Sequence, residues 1–289
     1  MNRVKIKSYA KINLTLEIVG KQNEYHNLDS LVASLDLFDL VDVKARRDRK
    51  NRITMYGMGS EFIPAEQNNA LKAAEAFSKA FDTNGVDITV YKNIPIGAGL
   101  GGSSADAVGV LLGMAKLYGV TDKQALKNVA DSLGSDTGYM LTGGFARMQG
   151  RGELVTKIES DLKLHFFLIC PDSFVSSKAC YQEYAKTPAY TSGESTQKAI
   201  AALQGKDVYA LGRCLTNALF EPAKRLNREV EKAYEEGGSF APEGVVMTGS
   251  GSCVAALFDC KELCDWARSR YKGAFKVYTA TTVIPDYGI

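Results

Sequence analysis

The sequence predicts a mixed helix-and-strand protein of about two domains, and three observations carry that reading. Its 289 residues sit near the length at which a single hydrophobic core stops growing. Its 45% hydrophobic and 24% charged residues are the balance of a soluble globular chain. Strand-like alternation and helical periodicity take turns along it, ending in a strand-strand-helix-strand pattern. Thirty-five basic and 33 acidic side chains leave a net charge of +2, so there is no global field to hold nucleic acid or an anionic membrane. Any anionic ligand must be held locally. The start, M-N-R-V-K-I-K-S-Y-A, lacks the apolar core of a signal peptide, and no long uncharged apolar run occurs, so a cytoplasmic protein is expected. The six cysteines form no C-x-x-C pair and no metal cluster, which predicts reduced, mostly buried thiols.

Residues 5–19 alternate imperfectly through Ile6, Ile12, Leu14, Leu16 and Ile18, and 28–43 carry further short apolar runs; both read as strands. From Asn69 the period changes. Ala70, Ala73, Ala74, Phe77, Ala80 and Phe81 recur at helical spacing, Asn68 or Asn69 can cap, and Asn84-Gly85 ends the run. A strand, V-D-I-T-V-Y, leads into a glycine-rich loop. Ala105, Val108, Leu111, Leu112 and Ala115 then line one helical face ending at Gly119. T-D-K-Q from Thr121 reads as a capping box that opens a second helix to about Leu133. A strand at 144–148 and a turn at 149–153 follow. H-F-F-L-I-C is a short buried strand, in which His165 has a structural reading. Helices are expected at 178–185, 197–203, 208–220 and 226–236. Strands at 245–247 and 254–258, a helix at 262–271 and a strand at 275–283 close the chain. A boundary near Asp161 divides it into 1–160 and 161–289.

The loop P-I-G-A-G-L-G-G-S-S-A-D decides the class of function. Gly97, Gly99 and Gly102 satisfy G-x-G-x-x-G, but a dinucleotide-binding turn needs one crossover helix and then a strand ending in an acid about 20 residues on. The acid at that distance, Asp122, opens another helix instead. No lysine follows the glycines as a Walker A loop requires, and the protein-kinase motifs H-R-D and D-F-G are absent. The residues support a backbone that approaches a ligand closely and a helix start at Ser103/Ser104 whose free N–H groups favour an anion such as phosphate. A tight strand-to-helix turn with a serine cap is the alternative. M-T-G-S-G-S-C at 247–253 is likewise a second ligand loop or a hairpin turn. Lys11 and Asn13, two apart in A-K-I-N-L, share one face of a strand, as a binding pair or an edge charge.

Together these segments resemble the GHMP kinases, the superfamily of galactokinase, homoserine kinase, mevalonate kinase and phosphomevalonate kinase. P-I-G-A-G-L-G-G-S-S-A-D-A is similar to that family's phosphate loop and M-T-G-S-G-S-C-V-A-A-L-F to its C-terminal glycine motif. A-K-I-N-L-T-L, E-Y-H-N-L-D-S-L at 24–31 and N-N-A-L-K-A-A at 68–74 are similar to the 4-diphosphocytidyl-2-C-methyl-D-erythritol kinases within it, as are Pro171, residues 175–178 and Tyr181. The resemblance spans nearly the whole chain. It implies an α+β, two-domain fold: a ribosomal protein S5 domain 2-like N-terminal domain holding ATP and a ferredoxin-like C-terminal domain, with the acceptor between them. It implies ATP and Mg²⁺, and transfer to the 2-hydroxyl of a cytidine diphosphate-linked alcohol in non-mevalonate isoprenoid synthesis. A different small alcohol, or nucleotide binding without transfer, are the alternatives.

By the same resemblance, Pro95, Gly97, Ala98, Gly99, Leu100, Gly101, Gly102, Ser103 and Ser104 hold the nucleotide. Asp136, in S-L-G-S-D-T-G-Y, is the general base and Lys11 its cationic partner. An alcohol is a poor nucleophile, a carboxylate can take its proton, and an ammonium offsets charge on the transferred group. Asn13, Tyr25, His26, Tyr181, Gly249, Ser250 and Gly251 fall to the acceptor, with Tyr25, His26 and Tyr181 as an aromatic clamp for the base. No residue is assigned to a metal. Three departures stand out, one of them the alanine at 98 in the phosphate loop. Asn23-Glu24 replace Asp-Gly before Tyr-His, and Thr137-Gly138-Tyr139 replace Val-Pro-Phe after the aspartate, which removes a proline that would stiffen the backbone behind the base.

Overall fold

Strand β1 (Arg3–Asn13) buries alternate side chains as far as Ser8 and every side chain from Ala10 onward. Between Tyr9 and Ala10 the paired residue jumps from Phe38 to Leu35, so the extra residues of a β-bulge, Asp36 and Leu37, lie on the partner strand. The structure, a computed structural model, describes residues 2–288 other than 24, 58–63 and 65–67. Strand β2 (Thr15–Gln22) turns back into β3 (Tyr25–Ala45), one continuous 21-residue strand where the sequence showed only short apolar runs. Next come β4 (Arg52–Tyr56), α1 (Asn69–Phe81), β5 (Val86–Tyr91), α2 (Gly102–Tyr118), α3 (Lys123–Leu133), α4 (Ser135–Met140), β6 (Phe145–Gly150) and β7 (Leu154–Ile158). One edge of β3 takes β2 and then β1, the other takes β6 and then β5, all antiparallel. Its length lets it organise the first sheet alone.

Helix α2 explains where that sheet hides its face. Residues Ala105 to Ala115 are buried without a break, as expected of a helix that is apolar on all sides and runs through a core. Asn68, not Asn69, caps α1, accepting from the Ala70 N–H at 2.9 Å. The cap of α3 is Asp122 rather than Thr121, because the Asp122 carboxylate accepts from the Ala125 N–H at 2.9 Å while Gln124 bonds Asn128. Three helices follow the glycine loop, not two.

The remaining chain forms β8 (His165–Cys170), α5 (Ser177–Tyr184), α6 (Glu194–Gln204), α7 (Val208–Cys214), β9 (Thr216–Asn217), α8 (Phe220–Leu226), α9 (Arg228–Gly238), β10 (Gly244–Met247), β11 (Val254–Phe258), α10 (Lys261–Arg270) and β12 (Lys276–Thr281). Its four-stranded sheet is antiparallel in the order β10-β11-β8-β12, with α9 and α10 packed on it, which is the ferredoxin-like arrangement. The helix expected at 208–220 breaks at Leu215, where ψ is 126°. Thr216 and Asn217 pair in parallel with Thr15 and Leu16 of β2 instead. Asn217 Nδ2 donates to the Met247 and Gly249 carbonyls at 2.6 and 2.8 Å, so tertiary hydrogen bonds override the local helical spacing. The tail also returns to the first sheet, where the Val283 N–H donates to the Ser34 carbonyl. His165 lies on β8 with its ring against the Thr281 hydroxyl. Among the described residues no helix is long and apolar enough to cross a membrane.

Candidate active site

Helix α2 begins at Gly102, capped by Gly101 at φ 73° with no side-chain cap. The serine-capped turn is therefore excluded, and Ser103 and Ser104 sit within the first helical turn. Gly99 and Gly101 both adopt positive φ, and their missing side chains make room for other segments. A Cβ on Gly99 would lie 2.1 Å from the Thr248 carbonyl oxygen, and one on Gly101 would lie 2.9 Å from Lys11 Cγ. Backbone and side-chain hydrogen bonds close the assembly. The Lys11 N–H donates to the Leu100 carbonyl, the Cys253 N–H to Ala98 and the Thr248 hydroxyl to Gly99, all between 3.0 and 3.2 Å. Asn13 joins the third segment, its N–H donating to Thr248 Oγ1 and its Oδ1 accepting from the Gly249 N–H. The strand end, the glycine loop and the C-terminal glycine motif thus form one floor.

Above that floor lies a cleft of about 560 Å³, lined by Lys11, Asn13, Pro95, the loop from Gly97 to Ser104, Asp136, Tyr181, Gly249 and Ser250. Lys11 Nζ donates to Asn13 Oδ1 at 2.6 Å and stands 3.7 Å from Asp136 Oδ2. The Lys11 side chain is 6% exposed and that of Asp136 39%, so the ammonium is fixed and the carboxylate faces the space. Lys11 and Asn13 stand at the end of β1, just past the bulge in β3; the short helix α4 carries Asp136 in its first turn. The absent proline behind Asp136 is replaced by anchorage. Tyr139 is fully buried, its hydroxyl donating to the Gly144 carbonyl at 2.6 Å and lying 3.2 Å from Ser34 Oγ. Burial pushes its phenol well above the ordinary range, so it stays a neutral donor.

Of the three expected clamp residues only Tyr181 lines the cleft; His26 and Tyr25 stand behind its wall, in an arrangement the sequence did not indicate. His26 stacks on Tyr181 with ring centres 5.8 Å apart and meets Tyr184 edge-on. Those rings touch, so a base enters between them only when they part. Tyr25 is half exposed and its ring lies under the Arg151 guanidinium, 3.6 Å away. His26 Nδ1 is buried without a hydrogen-bond partner among the described residues. Burial, helped by Lys21, holds the imidazole below its usual range and therefore neutral. Ser250 pairs with the Ser177 hydroxyl, while Gly251 turns away from the cleft, its N–H on the Thr248 carbonyl. Of the altered pair Asn23-Glu24, residue 24 lies outside the described residues.

Sequence reasoning missed Arg151, Ser30 and Asn217. Ser30 accepts from Asn13 Nδ2 at 2.8 Å and sets the orientation of that amide. An asparagine inside an expected helix was the available signal for Asn217; the glycines flanking Arg151 marked a turn but not what it faced. Also missed was a buried cluster beside the loop, in which Lys92 Nζ donates to Asp39 and, at 2.8 Å, to Asp106 Oδ2. Asp39 further accepts from the Asn93 and Ile94 N–H groups, whereas Asp106 Oδ1 has no partner among the described residues. Burial, only partly offset by Lys92, raises the Asp106 carboxyl to about 7. The fold then keeps a proton that the unfolded chain releases near pH 4, so stability falls as pH rises toward 7 and stays lowered above it. Asp106→Asn is expected to raise the melting temperature at pH 8, by about 2–4 °C for each kcal/mol regained, and to raise it clearly less at pH 5, where only part of the penalty is present. Thermal melts at both pH values check this; an equal effect at both would refute it.

Among the described residues no three His, Cys, Asp or Glu side chains are grouped to hold a metal ion. The family "GHMP kinases N terminal domain" matches residues 68–146 and "GHMP kinases C terminal" matches 199–270. The 4-diphosphocytidyl-2-C-methyl-D-erythritol kinase of Clostridium beijerinckii is 34% identical over 282 residues, covering 94% of this chain and 98% of the relative. That of Caldicellulosiruptor saccharolyticus is 32% identical, with 96% of each chain covered. A crystal structure of 4-(cytidine 5'-diphospho)-2C-methyl-D-erythritol kinase superposes with a TM-score of 0.79 at 26% identity, covering 96% of this chain and 98% of that one. The homoserine kinase of Cytophaga hutchinsonii shares the fold, with a TM-score of 0.77 at 17% identity over 98% and 95% of the two chains. With both family domains in order and relatives aligned along almost its full length, the chain belongs to the GHMP kinase family and is an ATP-dependent small-molecule kinase.

Proposed function

We propose that the protein transfers the γ-phosphoryl group of ATP to the 2-hydroxyl of 4-diphosphocytidyl-2-C-methyl-D-erythritol, giving the 2-phosphate and ADP. The observation that carries this is the placement of Lys11 and Asp136 in one cleft with the glycine loop, with Tyr181 on its wall and His26 stacked behind that ring. The first turn of α2 offers backbone N–H groups to the triphosphate. Asp136 accepts the hydroxyl proton as that oxygen bonds to phosphorus and the bond to ADP breaks. Lys11, held by Asn13, offsets negative charge on the group in transit. Once its ring parts from Tyr181, the partnerless Nδ1 of the neutral His26 would offer the cytosine a hydrogen-bonding nitrogen. Ser104, on the cleft wall in the first turn of α2, would offer its hydroxyl to a magnesium ion that arrives on the nucleotide, because such an ion needs only one or two protein ligands. Bound there, it would neutralise phosphate charge. An N-terminal ATP-binding unit at 1–160, a C-terminal unit at 161–289 with the acceptor held between the two, and a cytoplasmic location complete the reading.

The test is an acceptor panel. With Mg-ATP, purified protein should release ADP with the cytidine-containing acceptor and not with homoserine or mevalonate. Equal turnover on those small alcohols would refute the assigned acceptor.

A further inference from the structure

We infer that Arg151 grips the diphosphate of the acceptor, an inference that rests on the acceptor proposed above. Arg151 occupies the turn between β6 and β7, and its backbone is fixed at both polar groups. Its N–H donates to Glu153 Oε2 at 2.6 Å, and its carbonyl accepts from Ser135 Oγ at 3.1 Å. Ser135 directly precedes Asp136, so the turn and the base are tied to one support. The guanidinium lies 3.6 Å from the centre of the Tyr25 ring, a stacked cation–π contact. The residue therefore joins the two ends of the cleft, the base-proximal helix by its backbone and the aromatic end by its side chain.

What the guanidinium lacks identifies what it takes. Among the described residues it has no carboxylate partner and no hydrogen bond; Glu153, the nearest acid in sequence, is engaged with the backbone. Stacking on a ring leaves the five N–H groups of a guanidinium at its edge, in one plane, a fork that matches the paired oxygens of a phosphate. Arg151 lines the cleft together with Asp136 and Tyr181. A molecule with a base at the aromatic end and its hydroxyl at Asp136 carries its diphosphate between them, past this fork. The arginine thereby selects diphosphate-linked alcohols over free ones.

The experiment compares cytidine with CDP as competitors of the acceptor at saturating ATP. Wild type should prefer CDP over cytidine by about tenfold to a hundredfold, the scale of a charge-assisted bidentate contact. Arg151→Ala should lose most of that preference while its cytidine affinity, KM for ATP and melting temperature stay near wild type. Arg151→Lys should recover only part, since it restores charge but not the fork. An unchanged CDP preference in Arg151→Ala would overturn the proposal, as would equal losses of cytidine and CDP affinity, which would mean that Arg151 merely supports Tyr25. If wild type binds neither cytidine nor CDP and phosphorylates a different alcohol, the acceptor assignment itself fails and this inference falls with it.

Discussion

Asp136→Asn is expected to lower kcat by about a hundredfold to ten-thousandfold, the span that a positioned general base contributes. The amide fills the same space but cannot take the alcohol's proton. Lys11 keeps its place because Asn13 Oδ1 holds the ammonium at 2.6 Å, closer than the 3.7 Å to Asp136. The floor that receives the nucleotide is built from other residues, so the KM for ATP should remain near wild type. A loss confined to kcat is the signature of an interaction made in the transition state. Steady-state kinetics with each substrate varied in turn decide the matter: a variant that keeps most of its turnover removes Asp136 from the base role.

Gly101→Val should damage stability, nucleotide binding and turnover together. Gly101 is held at φ 73°, a conformation that a β-branched residue adopts only under strain of about 1–3 kcal/mol. Its new Cβ would also stand 2.9 Å from Lys11 Cγ and 3.1 Å from Met140 Sδ. Either the loop rises toward the triphosphate or Lys11 leaves Asp136. We expect the melting temperature to drop by several degrees and ATP affinity to weaken about tenfold, a further 1.4 kcal/mol. Gly101→Ala, which has the same strain without the γ-branches, should fall between. Unchanged melting and unchanged ATP affinity in the valine variant would refute this account of the loop.

The two predictions differ in how far sequence alone could carry them. Asp136 drew attention only through family resemblance, since an aspartate after Gly-Ser is by itself an ordinary helix-start residue. Gly101 was visible as one of four glycines in a six-residue stretch, but not the packing it permits: the space its missing side chain leaves is taken by Lys11 and Met140. The capping of α3 shows the same limit on a smaller scale. Thr121 and Asp122 are both good caps, and the choice depends on which side chain reaches a free N–H.

Local properties were legible without coordinates. The glycine-rich loop, the apolar face of α1, the buried strand at β8 and the closing β-β-α-β pattern follow from backbone freedom and side-chain periodicity, which act over a few residues. Tertiary structure decided everything that joins distant segments. It broke the expected helix at Leu215 so that Asn217 could hold the glycine motif, brought Lys11 beside Asp136, anchored the segment behind Asp136 through the buried Tyr139, and placed Arg151 over Tyr25. The physical reason is common to all four. A long-range hydrogen bond or packed ring outweighs a local preference worth a fraction of a kcal/mol per residue, and which partner is available is settled only when the sheets have closed around the cleft.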